Sequence, residues 1–198
     1  MTLMNLPKMV LSDTEGWSDI LRMHPSVGKM FLAFVVPMSL IPPVMYAYAQ
    51  LVQPGMVFAA VYPPLTAGEA TLIGALFFLV ELATVALMAA YIRELGGIAE
   101  IYPDYAAAYT LAAIAPAPLW FSALALFVPS LWFNVLVVGM AWLACVALIR
   151  HGVRAVFHPA EEAKAMRLAN LITAVGVVLW MGMLLFLMML LGMMLGWR

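Results

Sequence analysis

Apolar residues run along this chain in five long, nearly uninterrupted stretches that are separated by shorter polar connections. The stretches are residues 30–51, 70–92, 105–127, 131–149 and 168–195. An α-helix needs roughly 20 apolar residues to cross a hydrocarbon core of about 30 Å, and five stretches qualify. Because apolar and polar residues do not alternate within them, the pattern predicts helices and not the strands of a membrane barrel. We therefore predict an all-α, polytopic membrane protein with five transmembrane helices.

Composition supports a lipid environment and narrows the function. The chain is 67% hydrophobic and 10% charged, whereas soluble domains are roughly 25% charged. A net charge of −1 gives no reason to expect a nucleic-acid partner. Cys145 is the single cysteine, so an internal disulfide is excluded. The residues before the first stretch lack the basic, apolar and small-residue order of a signal peptide, so we expect the first span to be retained.

Lysine and arginine residues sort to one side of the predicted spans. The cations before the first span, after the second, and between the fourth and fifth are Lys8, Arg22, Lys29, Arg93, Arg150, Arg154, Lys164 and Arg167. The connections at residues 53–67 and 128–130 have neither lysine nor arginine, and only Arg198 falls on that side. Cytoplasmic loops are enriched in these residues. We predict a cytoplasmic N-terminus and a C-terminus outside.

The chain divides into a cytoplasmic leader, residues 1–28, and a five-span membrane domain, residues 29–198. Ser12 and Glu15 have the spacing of a capping box. Trp17, Ile20 and Leu21 then fall on one helical face, and Pro25 would end the helix. This short amphipathic helix is either an anchor against the membrane or the span ends, or a docking helix for a protein partner. Arg150, Arg154, Lys164 and Arg167 of the last loop complete the candidate docking surface.

Glu81 is the outstanding polar residue, because it lies near the middle of the second span. An ionised carboxylate in lipid costs several kcal/mol, so the group should be either protonated or hydrogen-bonded inside the bundle. No lysine or arginine lies at comparable depth. The expected partners are neutral groups: Asn134, Asn170, Ser122, Thr84 or a tyrosine hydroxyl. Glu81, Asn134 and Asn170 form a candidate intramembrane polar site, which is either a proton or cation site or a clamp between helices.

Prolines interrupt the first and third spans. They are Pro37, Pro42, Pro43, Pro116 and Pro118. An interior proline removes a backbone hydrogen bond and bends the helix. Such breaks either line a substrate pathway or serve packing alone.

Small residues recur four apart, at Ala108/Ala112, Ala113/Ala117 and Gly192/Gly196. They permit close helix approach and leave a homo-oligomer open. The cytoplasmic histidines have no cysteine or further histidine beside them, so we expect no metal site and no cofactor. Nucleophile-elbow, phosphate-loop and metalloprotease motifs are absent from the sequence, which makes an enzyme a poor interpretation.

Several short motifs resemble the bacterial branch of the Yip (Ypt-interacting protein) family. They are Glu15-Gly16-Trp17, His24-Pro25-Ser26, Ile41-Pro42-Pro43, Ala108-Tyr109, Ala115-Pro116, Pro118-Leu119-Trp120, Val128-Pro129, Gly152 and Pro159 to Ala163. The resemblance covers most of the chain. It implies five spans, a cytoplasmic N-terminus and, for this branch, the inner membrane. Eukaryotic members are linked to Rab-type GTPases, but this chain has a short N-terminal region and lacks their Asp-Leu-Tyr-Gly-Pro type motif.

Two functions remain open at this stage. The first is a non-enzymatic adaptor or organiser that binds a protein partner or anionic lipid at the cytoplasmic face. The second is a small transporter or channel that uses Glu81 as its coupling or gating group. An intramembrane enzyme ranks third.

Overall fold

The computed structural model describes residues 6–12, 16–23, 26–55 and 65–196. Within these ranges the regular elements are all helical, and five helices are long and apolar enough to cross a membrane. They are span 1 (Val27–Val52), span 2 (Ala67–Ile98), span 3 (Tyr105–Phe127), span 4 (Leu131–Phe157) and span 5 (Glu162–Gly196). The predicted fold class and number of spans are confirmed: the chain is a multi-pass membrane protein.

Several spans extend beyond the apolar stretches that predicted them. Span 4 continues past Ile149 to Phe157, where His158 adopts the left-handed conformation with a φ of 44°. Span 5 already begins at Glu162. The expected loop from Arg150 to Arg167 is therefore wrong, since only residues 158–161 connect the two helices. Charged residues such as arginine are good helix formers, so the helices continue after the apolar pattern has ended.

The proline-containing spans are built from shorter pieces. Span 1 consists of Val27–Met30, a π-helical segment Phe31–Val35, Val36–Ser39 and Ile41–Val52. Pro37 and Pro42 lie in the first turns of the last two pieces, where a missing N–H leaves no hydrogen bond unmade. Span 3 consists of Tyr105–Ile114, Ala117–Ser122 and a 3₁₀ segment Ala123–Phe127. Pro116 lies at its break.

Span 3 is the most enclosed helix of the bundle. In the most apolar 18-residue stretch of each span, 56% is buried in span 3 and 11% in span 5. Span 2 packs against spans 1, 3 and 5, and span 4 packs against spans 3 and 5. The four small residues of span 3 named above, Ala108, Ala112, Ala113 and Ala117, are all buried. They therefore serve packing within one chain, while Gly192 and Gly196 of span 5 are exposed.

Two short leader helices, α1 (Leu6–Leu11) and α2 (Trp17–Arg22), pack back against span 4. Trp17 is fully buried, and its indole N–H donates to the carbonyl of Met9 at 3.3 Å. A Cβ at Gly152 would lie 2.6 Å from Cη2 of Trp17 and 2.5 Å from Cδ1 of Leu111. Gly152 thus makes room for the tryptophan. We call this end of the bundle, with the leader and the residues near Gly96 and Gly152, the leader end.

The start of the leader helix differs from the capping-box expectation. Helix α2 begins at Trp17, and its N-cap is Gly16 with a φ of 84°. That left-handed value favours glycine. Residues 13–15, which include the expected helix start and Glu15, lie outside the described residues, as do His24 and Pro25.

Candidate functional site: a cavity in the bundle and a groove at the leader end

Glu81 lies in the interior of the bundle, near the middle of span 2. Its side chain is 5% exposed. The side chain of Trp120, on span 3, is in hydrogen-bonding contact with its carboxyl group. The second carboxyl oxygen, Oε2, is buried without a hydrogen-bond partner among the described residues. A buried acceptor left in this state costs roughly 1–3 kcal/mol, so the bundle carries a polar group that its own side chains do not satisfy.

A cavity of about 170 Å³ adjoins Glu81. All five spans contribute to its wall, with Pro42 from span 1, Leu111 and Trp120 from span 3, and Ile172 from span 5 among the contributors. Trp142 of span 4 and Trp180 of span 5 also line it, and their rings meet edge to face with centroids 5.3 Å apart. Among the described residues that line the cavity, Glu81 is the only Asp, Glu, Lys, Arg or His.

The polar partners expected for Glu81 are engaged elsewhere. Asn134 lies in the first turn of span 4, where its amide donates to the carbonyls of Val128 at 3.0 Å and Ser130 at 2.8 Å. Asn170 is exposed near the opposite end of the bundle, in the early turns of span 5. The expected grouping of Glu81, Asn134 and Asn170 is therefore wrong, because the two asparagines lie near opposite membrane faces and Glu81 lies between them.

The hydroxyl candidates are also satisfied locally. Thr84 donates to the carbonyl of Val80 at 2.7 Å, and Ser122 donates to that of Leu119 at 2.7 Å. Such bonds to a preceding turn are usual for hydroxyl side chains in helices. The partner that the sequence reasoning missed is Trp120. It lies in the second half of span 3, and its indole N–H can donate a hydrogen bond to a carboxyl group.

A groove lies at the leader end between helix α2 and the last turns of span 4. It is lined by Trp17, Ser18, Leu21, Arg22, Arg154, Ala155 and His158. Trp17 is fully buried, and Ile20 is buried as well. Arg22 is exposed. Trp17 and Ile20 were expected on a docking face, but both are buried against the bundle. The exposed surface of helix α2 includes Arg22 instead.

Ion pairs join the ends of spans 2, 4 and 5 near this groove. Arg154 pairs with Glu162. Lys164 pairs with Glu100 at 2.7 Å and with Glu161 at 3.2 Å. The hydrogen bond and charge of Lys164 hold the pKa of the Glu100 carboxyl below its usual range. Arg150 and Arg167, the other two cations of the expected loop, are exposed on the surfaces of spans 4 and 5.

Comparison with protein families decides what kind of bundle this is. The family model for the Yip1 domain matches residues 8–183. The chain belongs to the Yip1 domain family. The match runs from helix α1 through most of span 5, so the groove and the Glu81 cavity both lie inside this Yip1 domain. Neither the curated proteins nor the solved structures contain a match to the chain. The resemblance to the family is confirmed, and its bacterial branch stays a prediction.

The prolines of the Yip1 domain take different positions around the cavity. Pro42 and Pro116 line it, at the breaks of spans 1 and 3. Pro43 is buried and packs on span 2, where a Cβ at Gly74 would lie 3.6 Å from its carbonyl oxygen. Pro37 is exposed and Pro118 is half-buried, and neither contributes to the wall. Two of the five expected pathway residues are thus placed at the cavity.

Proposed function

We propose that this Yip1 domain protein is a non-enzymatic membrane adaptor that holds a protein partner at its leader end. The observation that carries the proposal is the folded leader. Helices α1 and α2 pack onto span 4, where Trp17 is buried, and a groove lies beside them. A leader that is already packed loses less conformational entropy on binding than an unfolded segment does.

The proposal places the leader end in the cytoplasm. The cations of the described residues lie at this end, on the leader, the first turn of span 1, the last turns of span 2, and the facing ends of spans 4 and 5. The positive-inside rule supports a cytoplasmic N-terminus for that distribution. Five spans then put the C-terminus outside, and a bacterial inner membrane fits this arrangement.

The groove is suited to an acidic partner segment. Arg22 of helix α2, Arg154 of span 4 and His158 line it. Because Arg154 is already paired with Glu162, Arg22 is the cation that the groove offers to a partner. Leu21 adds an apolar contact beside them. Arginine forms paired hydrogen bonds with carboxylates, so a segment with aspartate or glutamate next to an apolar anchor would complement both features.

The test is affinity purification from native membranes into nanodiscs, with quantification of the proteins and lipids that co-purify. Wild type is compared with Arg22→Glu in the groove and with Arg93→Glu, an exposed cation of the same end on span 2. We expect a stoichiometric protein that is lost in Arg22→Glu and kept in Arg93→Glu. The adaptor proposal is refuted if no stoichiometric protein is found, if both variants retain it equally, or if Arg22→Glu loses only anionic lipid.

A second candidate function, a small transporter or channel, is favoured by one specific observation. The cavity contains the buried carboxyl group of Glu81, and two proline breaks, at Pro42 and Pro116, lie in its wall. Broken helices around a midplane charge are a common arrangement in transporters. Proteoliposome flux of cations and protons in wild type and Glu81→Gln tests it, and equal flux in the two proteins would rule out Glu81 as the coupling group.

A further inference from the structure

The cavity beside Glu81 has the size of a small organic molecule. Its volume is about 170 Å³, and an apolar cavity of about 150 Å³ holds benzene. Most of its wall is aliphatic or aromatic, so a ligand must offer apolar surface to nearly all of it. Lipid provides the route for such a molecule, since the cavity lies at the depth of the hydrocarbon core.

One polar side chain of the wall is incompletely hydrogen-bonded. Glu81 lines the cavity, and its Oε2 is buried without a hydrogen-bond partner among the described residues. Thr84, which also lines the cavity, is already bonded to its own helix. After a small rotation of the carboxyl group, a ligand with one N–H or O–H group, and apolar elsewhere, would satisfy this oxygen.

The rings around the cavity favour a cation as that donor. Trp120, Trp142 and Trp180 all contribute to the wall, and tryptophan is the side chain that attracts cations most strongly through its ring face. Lysine, arginine and histidine are absent from the described residues that line the cavity, so no internal cation competes for the carboxylate. When Glu81 is a neutral acid before binding, an amine that enters from lipid in its uncharged form takes up the carboxyl proton, and the carboxylate–ammonium pair that forms lies among tryptophans.

Other occupants fit less well. Calcium and magnesium ions require several oxygen ligands, whereas Glu81 is the only carboxylate of the cavity, and the described residues hold no cluster of metal-ligating side chains. A trapped water needs two to four polar partners. The wall offers one unsatisfied oxygen.

We propose that this cavity binds a small lipophilic ammonium ion, whose N–H group pairs with Glu81 and whose apolar body packs against Trp120, Trp142 and Trp180. The inference concerns binding and does not depend on the adaptor function. It shares Glu81 with the transport candidate, but binding without flux would refute transport alone and leave this site intact.

The experiment measures binding of phenethylammonium to the full chain in zwitterionic nanodiscs, by tryptophan fluorescence and by the shift of the thermal midpoint. Empty nanodiscs correct for partitioning into lipid. The neutral analogue 2-phenylethanol has a similar body without the charge. We expect the ammonium ion to bind at least about tenfold more tightly than the alcohol, because a hydrogen bond to a charged group is the stronger one.

Two variants separate the site from the fold. Glu81→Gln removes the charge at constant shape and should weaken ammonium binding at least about tenfold, with little change for the alcohol. Gly176→Leu fills the cavity while Glu81 remains, since a Cβ at Gly176 has no neighbour within 4 Å. It should abolish binding of both molecules and leave the thermal midpoint of the unliganded protein near that of wild type.

Three results would overturn the proposal. They are no saturable ammonium binding to folded wild type, equal affinity for the ammonium ion and the alcohol, and unchanged ammonium binding in Glu81→Gln. Should Glu81→Gln fail to fold, Gly176→Leu decides the question, because retained binding in that variant would place the ligand outside the cavity.

Discussion

The leader end and the middle of the bundle differ in how completely they are packed and hydrogen-bonded. At the leader end, the ring of Trp17 fills the space that Gly152 leaves, and its N–H group has a carbonyl partner. In the middle, a cavity of about 170 Å³ adjoins Glu81, whose Oε2 has no hydrogen-bond partner among the described residues. Close packing and satisfied hydrogen bonds stabilise a fold, whereas a cavity and an unsatisfied buried oxygen lower its stability. The comparison therefore predicts that substitutions at the leader end cost more stability than substitutions of Glu81.

The largest effect should follow from removing Trp17. Trp17→Ala leaves a cavity under helix α2 and should lower the free energy of unfolding by about 3–5 kcal/mol, the usual cost for a buried aromatic residue. The leader should then detach from span 4, so tryptic cleavage after Lys8 and Arg22 should accelerate. Thermal unfolding and timed proteolysis in nanodiscs measure the two effects.

Trp17→Phe is the control variant that separates the effect of the ring's volume from the effect of its hydrogen bond. It keeps most of the ring but loses the bond to Met9, which is worth roughly 1 kcal/mol, so its leader should stay protected from trypsin. If Trp17→Ala is as stable and as protease-resistant as wild type, the leader does not lock the bundle.

A smaller loss should follow when the space for Trp17 is reduced. Gly152→Ala places a Cβ 2.6 Å from the rigid ring, so the tryptophan has to move. Overpacking of this kind costs roughly 1–3 kcal/mol. Gly139→Ala is the matched control, since it lies on the same span and a Cβ there has no neighbour within 4 Å. Equal thermal midpoints for the two variants would show that the contact is looser than the geometry indicates.

The two regions also differ in what the sequence could predict. The lengths of the apolar stretches alone predict the number of spans, because a helix needs roughly 20 apolar residues to cross a membrane. The contact of Trp17 with Gly152 joins residues far apart in the chain. A single glycine in a helix does not show in the sequence which side chain packs against it. Trp17, Ile20 and Leu21 were correctly placed on one face, but the pattern could not tell a face turned to a partner from one turned to the bundle.

The site in the middle was predicted in part. Glu81 stood out because a carboxylate in an apolar run is costly wherever it packs. Polarity alone does not identify its partners, because a partner must also lie at the same depth in the bundle. Asn134 follows the start of span 4 too closely, and Asn170 the start of span 5, for either to reach the middle of span 2 at a rise of about 1.5 Å per residue. The cavity itself depends on how five helices pack, which one sequence does not contain.

Replacing Glu81 tests whether this buried carboxyl group lowers the stability of the bundle or holds its helices together. Glu81→Leu removes the unsatisfied oxygen, but it also leaves the side chain of Trp120 without its hydrogen-bonding partner. We expect these two effects to offset each other, so that the free energy of unfolding changes by less than about 1 kcal/mol. A helix clamp would behave differently, because its removal separates helices. A clear drop in the thermal midpoint of Glu81→Leu would therefore support the clamp and weaken the case for a ligand site.

The smallest effect should come from the exposed ion pairs that join spans 2 and 5. The pKa of Glu100 is lowered by its hydrogen bond with Lys164 and then by that residue's charge. A lowered pKa in the folded protein means that Glu100 stabilises the fold above its ordinary pKa, and that this contribution disappears as the pH falls through the lowered value. Glu100→Gln should thus reduce the thermal midpoint slightly at pH 7, and the difference should shrink as the pH falls through the lowered pKa of Glu100.

Varying the salt concentration gives a second test of the same ion pair. Because the pair is exposed, high ionic strength should shrink the difference at pH 7 as well. Lys164 keeps Glu161 as a partner in the variant, so even the full effect should stay below that of Gly152→Ala. A difference that persists at low pH and in high salt would mean that the charge of Glu100 does not carry its contribution, because glutamate and glutamine place the same backbone and Cβ atoms at this left-handed position (φ 57°) and differ only in the terminal group.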